Sequence, residues 1–141
     1  MKKLLLLILI TIGCAQSERN KAKQYTSCID IILKEDSRLG NIRNHACEEI
    51  SLEQTIINYT DSLLGLDFSE CPKPFTGAFL NHIEAWVNTI ELVTPYDSIR
   101  GEMHELFDII IADDTDSIFS NQVKVIWSTW DSIEYQRARY N

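Results

Sequence analysis

Residues 74–93 read Pro-Phe-Thr-Gly-Ala-Phe-Leu-Asn-His-Ile-Glu-Ala-Trp-Val-Asn-Thr-Ile-Glu-Leu-Val, and their periodicity decides the fold class. Phe75, Phe79, Ile83, Trp86, Ile90 and Val93 recur at steps of three and four, so they line one wide face of a helix. Asn81, Glu84, Asn88 and Glu91 fall on the opposite face. A stripe of that width needs other helices to cover it. Pro74 suits the first turn, where its missing N–H is no loss.

The same period runs outward in both directions. Towards the N-terminus, Leu52, Ile56, Tyr59, Leu63 and Leu66 mark a helix opened by Ser51-Leu52-Glu53-Gln54, which fits a capping box, and stopped near Gly65. Before it, Tyr25, Cys28, Ile29, Ile32, Leu33 and Leu39 share a face that Gly40 can end as a left-handed cap, leaving 41–50 as a loop around Cys47. Towards the C-terminus, Thr94-Pro95-Tyr96-Asp97 reads as a cap and first turn. It predicts a tight corner into a helix that buries Ile99, Met103, Leu106, Phe107 and Ile110. After the acidic break 113–116, Phe119, Val123, Ile126, Trp130 and Ile133 lie within one arc. Strand-like alternation is missing throughout. The expected fold is all-α, an up-and-down bundle of about five helices over residues 25–141.

Residues 1–13 differ in kind. Lys2 and Lys3 precede the apolar run Leu4 to Ile10, which is shorter than the ~20 residues of a membrane-spanning helix and matches the n- and h-regions of an export leader. The run ends in Thr11-Ile12-Gly13-Cys14, which resembles the lipobox of bacterial lipoproteins, with Thr11 standing where leucine is usual. That resemblance covers fourteen residues. It implies a signal peptide over 1–13, a lipid on Cys14, a polar tether over 14–24 and an anchor in the envelope. Ala15, which is not an inner-membrane retention aspartate, implies the outer membrane.

Export implies an oxidising compartment, where two of the three remaining cysteines should pair. Cys47 and Cys71 lie beyond opposite ends of the 51–65 helix, which makes theirs the least favoured of the three pairings. Cys28 is within reach of either loop. The shorter closure, Cys28–Cys47, is the expected bond, with Cys71 as the alternative partner.

Thirteen Lys and Arg against 21 Asp and Glu give a net charge of −8. Such a surface repels phosphate backbones, so no nucleic-acid partner is expected. Among groups able to do chemistry, His82 falls at the edge of the apolar arc beside Phe79 and Trp86. There it is either a half-buried, hydrogen-bonded ring or a ligand for a metal or haem, with Met103 conceivable as a second haem ligand. His104 and Asp108, four residues apart, have the spacing of a metal pair and equally of a solvated polar stripe. No CxxC, haem-attachment, nucleophile-elbow or phosphate-loop motif occurs, so no cofactor and no catalytic residue is assigned. Four Asp-Ser-apolar triplets, at Ser62, Ser98, Ser117 and Ser132, resemble an O-glycosylation sequon of exported bacterial proteins, and Asp-Ser is also common at helix starts. Trp127 lies off the centre of its helix's apolar arc and is a candidate contact residue. The expected function is therefore a non-enzymatic, membrane-tethered binding domain that meets another envelope protein. A metal or haem carrier built on His82 is the alternative.

Overall fold

The computed structural model describes the backbone of residues 2–140 and the side chains of residues 16–140. The acylation candidate Cys14 lies outside the residues whose side chains are described. The elements are α1 (Lys2–Ala46), α2 (Leu52–Leu64), α3 (Lys73–Val87), the single turn α4 (Ile90–Val93), a 3₁₀ turn (Thr94–Tyr96), α5 (Met103–Asp113) and α6 (Ile118–Ala138). The described residues form an all-α bundle with five helices of eleven residues or more and no strand. No described helix is long and apolar enough to cross a membrane.

At the centre stands α3, whose Phe75 and Phe79 are fully buried, with Ile83 and Trp86 nearly so. It runs along α6, where Phe119, Ile126 and Ile133 repeat every seven residues and are buried. A cross-bond from Gln122 Nε2 to the Ala85 carbonyl at 2.7 Å fixes their register. Leu52, Ile56, Tyr59 and Leu63 of α2 cover the other side of α3, and Ile29 and Ile32 of α1 close the core. The far end of α6 is pinned to α1. Thr26 Oγ1 donates to the Tyr140 carbonyl at 2.8 Å, and the Tyr25 and Tyr140 rings meet edge to face at 5.7 Å.

Local signals explain most boundaries. The Ser51 hydroxyl accepts from the Gln54 N–H at 3.2 Å, as a capping box requires, but the Gln54 side chain turns forward to Asn58 Oδ1 instead of back to Ser51. At the start of α6 the cap is Asp114, whose carboxylate accepts from the backbone N–H groups of Phe119 and Ser120 at 3.2 and 2.7 Å. An acid at that end also complements the helix dipole.

Three expectations are corrected. First, Gly40 does not end α1, which continues to Ala46. A glycine inside a helix costs only about 1 kcal/mol relative to alanine, and the extra turn carries Arg43 to aromatic contacts worth more. Second, the disulfide joins Cys28 to Cys71, with Cα atoms 5.2 Å apart, and not to Cys47. The first correction causes the second. With α1 unbroken, Cys47 stands roughly 28 Å along the axis from Cys28, at 1.5 Å per residue, far beyond bonding range. Cys47 is a buried thiol that donates to the Arg43 carbonyl at 3.3 Å. Third, α3 ends at Val87 and the next full helix starts at Met103, so no tight corner forms at Thr94-Pro95. The buried Thr89 hydroxyl binds the Trp86 carbonyl at 2.6 Å, and Thr94 binds back to the Ile90 carbonyl at 3.0 Å. Such local bonds compete with the helical ladder and turn the chain early.

Candidate ligand cleft

A cleft of about 600 Å³ opens between α1, α5 and α6, with α3 as its floor. Extension of α1 past Gly40 builds one wall, and the spacing of Phe107, Ile111, Val123, Trp127 and Trp130 on α5 and α6 builds the other. Its volume falls in the range of small-ligand and peptide-tip sites.

On the floor lies Arg43. Its guanidinium carbon is 4.1 Å from the centre of the Trp86 ring and 4.5 Å from that of Tyr59, two rings set 81° apart. The cation thus sits in an aromatic corner, where desolvated cation–π contact is favourable. Its Nε and Nη2 both donate to Asn44 Oδ1, at 3.3 and 3.0 Å, and no carboxylate among the described residues lies within 4.0 Å of it. Burial pulls the guanidinium below its usual pKa, against the opposing pull of Tyr59 and Asp36. Beside it, buried Asp36 accepts the Tyr59 hydroxyl at 2.7 Å. Burial raises the Asp36 carboxyl above the usual range, while Tyr59 and Arg43 act the other way. The Tyr59 phenol is held far above its ordinary value by burial and then by Asp36.

His82 also borders the cleft, and both its nitrogens are engaged. The Trp86 indole N–H donates to Nε2 at 3.2 Å, which makes Nε2 the acceptor and places the proton on Nδ1, 2.9 Å from Thr129 Oγ1. Thr129 in turn donates to the Ile126 carbonyl at 2.8 Å. The relay links α3 to α6 and suits a neutral ring. Burial, then the positive charge of Arg43, depresses the His82 pKa to about 4. Met103, the conceivable second haem ligand, is buried in the same cleft, and His104 and Asp108 stand on its α5 lip. His104 is exposed, and its nearest carboxylate is Glu102 at 3.8 Å, not Asp108. Among the described residues no three metal-ligating side chains converge.

His82, Met103, His104, Asp108 and Trp127 thus line one cleft. Trp127 is 61 % exposed at the mouth of the cleft. Arg43 and Asp36 escaped the sequence reading, and Tyr59 entered it only as a core position, although Asp36 and Arg43 are seven apart and share a helical face. That signal disappears once Gly40 is read as a terminus. The four sequon-like serines are all exposed but differently held. Ser62 and Ser132 lie within helices and donate to the carbonyls of Asn58 and Ser128, whereas Ser98 lies in the 97–102 connection and Ser117 takes a left-handed φ of 61° ahead of α6.

Compared with known proteins, the chain matches no family model, no curated sequence and no solved structure.

Proposed function

We propose that this chain is a lipid-anchored protein of the bacterial outer membrane whose helical domain is a non-enzymatic binding module, meeting another envelope protein at the α1–α5–α6 cleft. The observation that carries this reading is the cleft itself, with a cation lacking a carboxylate partner on its floor and a tryptophan exposed at its mouth. Exposed aromatic residues beside a desolvated arginine are what protein interfaces use as anchors. The leader and the Ile12-Gly13-Cys14 junction support anchoring, and a disulfide spanning 43 residues supports an oxidising compartment. Net charge −8 argues for basic partners and against nucleic acid.

Catalysis is the weaker reading because the titratable groups on the cleft floor are tied up. His82 is used on both sides, and Asp36 is held by Tyr59. A metal or haem carrier would need His82 Nε2 to give up the Trp86 indole. A Soret band or stoichiometric metal in protein purified from its native envelope would favour the carrier.

A photo-crosslinking residue placed at position 127 in living cells tests the binding reading. A discrete protein adduct is expected there and not from position 135, an exposed tyrosine outside the cleft. Equal labelling from both positions would refute it. In the same material, the N-terminal peptide should begin at acylated Cys14, and an unmodified Cys14 would remove the anchor. Intact mass beyond polypeptide plus lipid would identify sugar, for which Ser98 and Ser117, outside helices, are the more accessible acceptors.

A further inference from the structure

The geometry points to a C-terminal carboxylate as the group that this cleft reads: we infer that it captures the last residues of a protein segment ending in an apolar side chain, with Arg43 as the carboxylate anchor. The inference rests on the cleft being the recognition site and specifies the chemistry recognised there.

Three observations converge. Arg43 carries five N–H donors; its Nε and Nη2 share a single amide oxygen, and the Tyr59 hydroxyl lies beside the group. Its Nη1 has no hydrogen-bond partner among the described residues, while Trp86 and Tyr59 hold the plane of the group in place. A planar fork already fixed by packing, lining an open cleft, is the arrangement that takes a carboxylate with little further ordering.

The two walls differ, and the difference selects a peptide over a fatty acid. Ser37, Asn41 and Asn44 line the α1 side at helical spacing and offer hydroxyl and amide groups to a backbone. Phe107, Trp127 and Trp130 on the opposite side offer apolar surface to side chains. Hydrocarbon laid against the α1 wall would leave those polar groups without partners, an unfavourable desolvation that a peptide backbone avoids. Charge gives the same answer. A small free anion is repelled by net charge −8 and by Asp36 and Asp108 lining the site, whereas a basic segment is drawn in and its terminal carboxylate finds the cation.

The test uses the full-length chain in detergent and a dye-labelled, N-blocked octapeptide that contains two lysines and ends in leucine, as free acid and as amide. Fluorescence anisotropy should show the acid binding about tenfold tighter or more, the scale of one charge-assisted hydrogen-bonded pair. Arg43→Gln should erase the difference between acid and amide. Should that variant not fold, Trp127→Ala, altered at an exposed site, should weaken the acid severalfold with an unchanged urea midpoint. Equal affinity of acid and amide overturns the inference, as does displacement of the acid peptide by an equal concentration of decanoate. If neither peptide binds while position 127 still crosslinks a protein in cells, the carboxylate inference fails and the recognition reading stands. If both fail, neither survives.

Discussion

Replacing Cys28 and Cys71 together by alanine removes a crosslink between residues 43 apart, and the expected loss can be worked from that number. The entropy that a crosslink withholds from the unfolded chain is roughly 2.1 + 1.5R ln n cal/mol/K. With n near 43, this is about 13 cal/mol/K, or ~4 kcal/mol at 25 °C, as an upper bound for an unstrained bond. For a domain of this size that corresponds to a fall in Tm of roughly 10–20 °C. Both half-cystines are buried, so two alanines also leave small cavities and push the loss in the same direction. Urea melts of the oxidised protein, the reduced protein and the double variant provide the assay. Reduction should lower the midpoint of the native chain and leave the double variant unmoved. Cys47→Ala, by contrast, should keep the full response to reductant. A double variant as stable as the native chain, or a Cys47→Ala variant that no longer responds to reductant, would refute the connectivity and with it the unbroken α1.

Gly40→Ala tests the same helix from another direction. Its new Cβ would meet only Arg43 Nη2, at 3.7 Å, so the exchange should stabilise the domain by about 0.5–1 kcal/mol in a urea melt; a clear loss would mean that the residue is a left-handed cap after all. His82 should make stability fall with acid. Its folded pKa of about 4 lies below its unfolded value of 6.5, so its contribution is complete above pH 6.5 and is lost as pH drops towards 4, by about 3 kcal/mol at most. The raised Asp36 pKa acts in the opposite sense, its share being lost as pH rises through the folded value, so the net slope in that window is shallower. His82→Gln should flatten the decline between pH 6.5 and 4, and a slope identical to that of the native chain would exclude His82 as its source.

What could be read from the sequence depended on how far each feature's meaning was local. The stripe from Phe75 to Trp86 needs no knowledge of its surroundings, because a helix that buries a large apolar residue every turn has only one orientation towards a core, and those residues are indeed the centre. Gly40 is different: whether a glycine caps a helix or is merely tolerated depends on what the next turn touches, and Arg43 meets Tyr59 and Trp86, sixteen and forty-three residues further on. Thr94-Pro95 is ambiguous for the same reason, since its hydroxyl can bond forward as a cap or backward to Ile90, and only the early turn forced at Thr89 selects the latter. His82 was recognisable as a ring needing a partner. That the partners would be an indole four residues along its own helix and a threonine on α6 was not, because the second depends on the register of α3 against α6. The misread disulfide and the missed cleft wall share one origin, the turn beyond Gly40. It moves Cys47 out of reach of Cys28, leaves Cys71 to form the bond, and carries Arg43 onto Tyr59 and Trp86 at the floor of the cleft. Stability and the shape of the cleft are therefore coupled through a single helix. A substitution that breaks α1 at residue 40 should damage the cleft while sparing the disulfide, which lies about three turns below it.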